Sequence, residues 1–203
     1  PFYGAAVLCG DDARVRAILP QINRPVILFG FGEDCNVRAV GPRSDGRHSR
    51  FMLWVDDREI GEFRVPLPGR HNIQNALACI AVALFLEVPP EEIRDALESF
   101  DGVGRRFELR SQVGEITHVD DYAHHPTEIA AVLSAAREAF GSRRVVAFFQ
   151  PHRYTRTAAL HAEFAGAFAQ ADVVVLTDIY AAGEMPIRGG TGDLLRDQIP
   201  AGS

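Results

Sequence analysis

Two polar motifs in the second half of the chain carry residue types that do chemistry. VDDYAHHPTE spans residues 119–128 and FQPHRYTRT spans 149–157. Each follows an apolar run that predicts a buried strand, at 115–119 and 145–149, and each precedes an apolar helical pattern. Polar residues at the C-terminal ends of parallel strands stand where open α/β sheets bind ligands. Asp121, Tyr122, His124, His152, Arg153 and Arg156, from two neighbouring loops, are therefore expected to converge on one small polar substrate.

The residue types narrow the chemistry. Asp121 suits hydrogen bonds from a ribose hydroxyl, Tyr122 offers a stacking face, and Pro126 and Glu128 suit the first turn of a helix. Asp120, Asp121, His124, His125 and His152 also have the right types for a metal. Adjacent histidines on a loop entering a helix rarely point at one ion, so polar contact with nucleotide and substrate is preferred and no metal site is assigned. Arg153 and Arg156 bracket a loop-to-helix entry, where they either cap the helix and add surface charge or hold a carboxylate or phosphate. GRHNIQNAL at 69–77 opens an earlier helix. Either Asn72 caps that helix, or Asn72 and Asn75 join His71 in presenting donors and acceptors to a flat heteroaromatic ring. The pair Arg105 and Arg106 is either solvated or placed beside an interdomain hinge to clamp a phosphate. DIYAAGE at 178–184 supplies one more strand-end loop on the same rim.

Composition removes several options. All 21 basic residues are arginine, so the 203 residues offer no P-loop lysine, Schiff-base lysine or carbamylated lysine. The net charge of −6 repels nucleic acid and anionic lipid, and any anionic ligand must be held by local arginines. Cys9, Cys35 and Cys79 are widely spaced and odd in number, which fits scattered core thiols in a reducing, cytoplasmic setting. No apolar run is long enough to cross a membrane.

These side chains need elements to hold them. Strands are expected at 2–9, 24–29, 37–40, 49–55 and 59–65, with a hairpin turn at Asp56-Asp57. Helices are expected from a cap at Asp11 or Asp12 through residue 19, at 71–86 with most sides buried, and at 90–100 behind Pro89-Pro90. The glycine-rich stretch 101–104 reads as a boundary between domains at 1–102 and 103–203. Beyond it, strands at 107–112, 116–119, 144–149 and 173–177 alternate with helices at 127–140 and 157–169. This predicts an α/β protein whose second domain is Rossmann-like, with a mostly parallel sheet and helical crossovers. The chain starts inside a strand pattern and stops after a short helical one, so it is expected to be part of a longer protein.

Six motifs in order, PFYG, GRHNIQNALA, GVGRRFE, VDDYAHHPTEI, FQPHRYTRT and DIYAAGE, resemble the Mur ligase family over essentially the whole chain. The resemblance implies three domains, with 1–102 the later part of the central ATP-binding domain and 103–203 most of the C-terminal domain. It implies ATP-dependent amide formation: the muramyl carboxylate of UDP-N-acetylmuramate takes the γ-phosphoryl group, and the amine of L-alanine attacks the acyl phosphate. Mg²⁺ would balance the phosphate charge, with its ligands upstream of residue 1. His71, Asn72 and Asn75 look like adenine contacts, Arg106 like the arginine near the phosphates, and Asp121 like the ribose-binding aspartate. Tyr122 would touch both nucleotide and acceptor. Tyr122, His124, His152, Arg153 and Arg156 look like the acceptor site, and Arg106, Asp121 and His124 are the catalytic candidates. The P-loop and its lysine are missing here, so the 203 residues are expected not to turn over alone. Three alternatives stand beside this: a recycling ligase that attaches a whole peptide to the same nucleotide, a non-catalytic nucleotide-binding module, and a metallohydrolase built on the His-rich loop.

Overall fold

The structure, a computed structural model, describes residues 4–187, 192–196 and 199. The chain divides into two compact units, Pro1–Gly102 and Val103–Ser203.

In unit 1 the strands are β1 (Ala6–Cys9), β2 (Val26–Gly30), β3 (Val37–Asp45), β4 (His48–Val55) and β5 (Arg58–Val65). They form one sheet in sequence order. β1, β2 and β3 pair in parallel, and β3, β4 and β5 continue antiparallel. The period-2 pattern of β4 decides its orientation. Ser49, Phe51 and Leu53 are buried while their neighbours are only partly so. Asp56 and Asp57 both have positive φ (44° and 65°), the backbone of a two-residue turn that matches strand twist. Arg38 on β3 lies over the ring of Trp54 on β4, 4.9 Å from its centroid.

Helix α1 (Ala13–Ile18) is capped by Asp12, whose Oδ1 accepts from the N–H groups of Arg14 (2.7 Å) and Val15 (3.2 Å). Asp11 does different work: its carboxylate accepts from Phe31 and Gly32 N–H and from Gln74 Nε2. Helix α2 (Arg70–Phe85) covers the sheet, placing Ile73, Ala76, Leu77, Ile80 and Ala81 against Val37, Ala39, Phe51, Leu53, Phe63 and Val65. Fully burying each Val, Leu, Ile or Phe side chain of this set contributes about 1.5–3 kcal/mol. The apolar composition of α2 predicted burial on most sides, but Cys79, Val82, Phe85 and Leu86 are exposed. Helix α3 (Pro90–Glu98) follows, with Pro90, Glu91 and Glu92 in its first turn.

Unit 2 opens with β6 (Glu108–Val113) and β7 (Ile116–Asp120). The sequence predicted a buried strand at 115–119 within a parallel sheet. Instead β7 pairs antiparallel with β6 in a separate two-stranded sheet, most of β6 is exposed, and no residue of β7 is fully buried. Gly114, with φ 58°, lets the chain reverse within two residues, so no crossover intervenes. Helix α4 (Pro126–Phe140) then leads to β8 (Val146–Phe149), which pairs in parallel with β9 (Val173–Leu176). The helix expected at 157–169 is two pieces, α5 (Tyr154–Ala159) and α6 (His161–Ala167). The Thr157 hydroxyl bonds back to the Arg153 carbonyl (2.9 Å) and Leu160 leaves helical geometry, which together bend and break the run. A short helix, α7 (Gly192–Arg196), completes the described residues of the unit. Phe149 packs against Phe164 and Phe168 at 5.6 and 5.4 Å between centroids. Ile129 and Leu133 of α4 and Leu195 of α7 join this core. The architecture throughout is α/β. No helix of the described residues is long and apolar enough to cross a membrane.

Candidate functional site in unit 2

The residues after β7, β8 and β9 meet at one end of unit 2. After β7, Asp121 is fixed by two backbone donors: its Oδ2 accepts from Phe107 N–H (2.8 Å) and its Oδ1 from Ala123 N–H (2.7 Å). Tyr122 is held next to Arg105, donating its N–H to the Arg105 carbonyl (2.8 Å), with the Arg105 guanidinium over its ring at 4.8 Å. Arg105 Nε also lies 3.5 Å from Asp120. The loop needs positive φ at both Arg105 (57°) and Phe107 (49°), so Asp121 stabilises a backbone that side-chain-bearing residues rarely adopt.

His124 and His125 form the entry to α4. Glu128 accepts from both of their N–H groups, while the His125 ring accepts from Thr127 N–H, a reciprocal cap. Burial pushes the Glu128 carboxyl up. The His124 and His125 amides, the His124 ring and the Arg106 charge outweigh it, leaving the group below its ordinary value. Glu128 is thus the residue around which the loop is organised, and Arg106 belongs to its electrostatic surroundings. The ring of His124 continues toward the next loop, 5.1 Å from Tyr122 and 6.2 Å from His152.

After β8, the chain stays paired with the loop after β9. Tyr180 N–H donates to the Pro151 carbonyl (2.8 Å), and Arg153 N–H to the Tyr180 carbonyl (2.9 Å). The rings of His152 and Tyr180 stand 5.3 Å apart. A run of rings, Tyr122–His124–His152–Tyr180, therefore lines one end of the unit, with Arg105 at one extremity and Arg153 and Arg156 beside His152. Arg156 Nη1 reaches the His152 carbonyl at 3.5 Å. Arg153 sits 3.8 Å from Glu184.

Electrostatics sets the charge of His152. Burial lowers its pKa first; the positive charges of Arg156 and Arg153 and the His124 ring lower it further, against the opposing pull of Glu184. Its Nδ1 is buried without a hydrogen-bond partner. The imidazole therefore stays neutral to lower pH than an ordinary histidine does. Following the His152 ring proton by NMR is expected to give a midpoint below the ordinary 6.5. Arg156→Ala, which removes a repelling charge and makes protonation easier, is expected to move that midpoint upward.

The site brings together Asp121, Tyr122, His124, His152, Arg153 and Arg156. His71, Asn72 and Asn75 lie in unit 1. Asn72 is 8% exposed and donates from Nδ2 to the Pro68 carbonyl (2.7 Å), leaving its Oδ1 for other use. Asn75 is exposed and His71 partly so. Gly69, not Asn72, takes the N-cap position of α2. Sequence reasoning overlooked Glu184 and Tyr180, although both lie in the DIYAAGE stretch. The signal was their place on a third strand-end loop. Among the described residues no group of three or more His, Cys, Asp and Glu side chains is placed to hold a metal ion.

Comparison with known proteins places these residues in context. The Mur ligase middle domain matches residues 1–83, and the Mur ligase glutamate ligase domain matches residues 105–203. The chain is similar to UDP-N-acetylmuramate–L-alanine ligase of Pelobacter propionicus (49% identity, 98% of this chain, 43% of that protein). It is also similar to the ligase of the same name from Anaeromyxobacter dehalogenans (51% identity, 99% of this chain, 44% of that protein). It thus spans less than half the length of these curated relatives. Among solved structures, UDP-N-acetylmuramate–alanine ligase from Thermotoga maritima matches 85% of this chain and 36% of its own, with a TM-score of 0.71 and 31% identity. A murein peptide ligase from Psychrobacter arcticus matches 87% of this chain and 37% of its own, with a TM-score of 0.62 and 26% identity. Two consecutive family domains, in the order and over nearly all the residues that the motifs predict, show that the chain belongs to the Mur ligase family.

Proposed function

We propose that the chain is part of an ATP-dependent UDP-N-acetylmuramate–L-alanine ligase of peptidoglycan synthesis. Residues 1–102 would be the later part of its central ATP-binding domain and 103–203 most of its C-terminal domain. The observation that carries this is the end of unit 2, where two arginines, a neutral histidine and two further rings surround one spot. That set suits a small zwitterion. Arg153 and Arg156 bind its carboxylate. Uncharged His152 adds no repulsion against its ammonium group, and Tyr122 and His124 bound its side chain.

The reaction this serves has two steps. The muramyl carboxylate takes the γ-phosphoryl group of ATP and releases ADP. The amine of alanine then attacks the acyl carbon, and the tetrahedral adduct collapses to the amide, phosphate and a proton. Magnesium, bound with ATP, would offset phosphate charge. What the residues of this chain contribute is positioning. Arg106 faces the phosphates, and Asp121 has free lone pairs for a ribose hydroxyl beside its two amide donors. His71, Asn72 and Asn75 take the adenine.

The test follows ADP release by the full-length protein with Mg²⁺ and UDP-N-acetylmuramate, adding L-alanine or the muramyl tripeptide in parallel arms. Stimulation by L-alanine is expected. Stimulation by tripeptide alone would make the protein a recycling ligase, and release with neither would leave a nucleotide-binding module. The 203 residues alone, which hold no lysine, are expected to release no ADP in the same assay.

A further inference from the structure

Glu184 lies on the loop after β9, 29 residues from Thr155 in sequence, yet it grips the start of α5. Its Oε2 accepts the Thr155 N–H at 3.0 Å and its Oε1 accepts the Thr155 hydroxyl at 2.7 Å. The same Oε1 stands 3.8 Å from Arg153 Nη1. The Glu184 side chain is 19% exposed and that of Arg153 is 51% exposed, so the carboxylate lies inside and the guanidinium outside.

The position of Arg153 calls for such support. It is the residue immediately before α5, its φ is +74°, and none of α5's own side chains caps that end. Left-handed backbone at a side-chain-bearing residue persists only where surroundings hold it. Two holds exist. One is the Arg153 N–H to the Tyr180 carbonyl, and the other is Glu184 on Thr155. Both come from the same loop, four residues apart.

We infer that Glu184 is a positioning residue for Arg153, fixing the turn that aims its guanidinium, with that of Arg156, at the carboxylate of the incoming amino acid. This rests on the acceptor-site reading above. It explains why a carboxylate sits in a site built for another carboxylate. With both oxygens engaged by Thr155, Glu184 orients Arg153 from behind and leaves its remaining N–H groups for the ligand.

The test uses the full-length protein. Glu184→Gln is expected to raise the KM for L-alanine about tenfold, with kcat within about twofold and the KM for ATP unchanged. Thr155→Val, which keeps the backbone donor and loses the hydroxyl, should shift the same KM in the same direction by less. In an Arg153→Ala background, Glu184→Gln should change the KM by less than about twofold, because its effect runs through Arg153. A multiplicative loss in that double variant overturns the inference. So does a fall in kcat at constant KM, or a lowered KM, which would make Glu184 a competitor of the acceptor. Amide hydrogen exchange over residues 153–157 reads the same point without turnover. Glu184→Gln should accelerate it about tenfold while Glu163→Gln does not, and unchanged exchange overturns the inference. Absence of alanine-dependent ADP release in the parent would sink the acceptor reading itself, and the exchange arm would still decide the role of Glu184.

Discussion

Replacing Arg153 with alanine in the full-length protein is expected to lower kcat/KM for L-alanine by about a hundredfold, mostly through KM. Charge-assisted contacts between guanidinium and carboxylate are worth about 1.5–3 kcal/mol each. Arg156 has Nη1 at the His152 carbonyl, so it supplies only part of the hold on the carboxylate. Arg153→Lys should recover little, because an ammonium cannot reproduce the planar fork. Steady-state kinetics with varied L-alanine at saturating ATP checks this. An unchanged KM would move the acceptor carboxylate elsewhere and remove the main support for the proposed function.

Asp121→Ala is expected to damage the fold before it damages nucleotide binding. The substitution strips the acceptor from two amides at once, those of Phe107 and Ala123. Phe107 is buried, stacks on Phe140 at 6.2 Å and holds φ of 49°, so its loop has no easy alternative. Two stranded donors in a partly buried loop cost about 2–4 kcal/mol. Asp121→Asn keeps an acceptor for one donor and should cost about half as much. The two variants separate the roles of this carboxylate. Urea unfolding read on unit 2 amide signals should rank them alanine, asparagine, wild type. Nucleotide affinity of the folded asparagine variant should fall further than its stability does. Equal stability for all three would deny Asp121 its structural part.

Much of this was legible in the chain because the signals are local. Asp12 sits one residue before an apolar helical pattern, and it caps α1. Asp56-Asp57 lies between two alternating runs, and it turns between β4 and β5. His125, Pro126 and Glu128 carry the chemistry of a helix start in their spacing alone. Other features depend on partners far away in sequence. β7 is short, and nothing within 115–119 says whether its partner runs parallel or antiparallel. Gly114 decided it by allowing a two-residue reversal. The break after α5 arises from Thr157 reaching back to the Arg153 carbonyl, in a stretch whose apolar spacing is helical throughout. Glu184 could not be ranked above other loop acids, since only the fold brings it to Thr155. The asparagines of α2 make the same point. Three residues apart they share a face, yet Asn72 is buried against Pro68 and Asn75 is exposed, because the edge of the core passes between them.

The chain's one tryptophan, Trp54, lies on β4 beneath Arg38, whereas Tyr122 and Tyr180 stand in the ring run of unit 2. Within these 203 residues the indole label therefore belongs to unit 1 alone. Indole emission reports the meander of unit 1, while phenol signals come from both units, Tyr3 in the first and Tyr122, Tyr154 and Tyr180 in the second. A melting curve read by indole fluorescence therefore follows the surroundings of Trp54, and the loop that Asp121 holds needs a probe of its own.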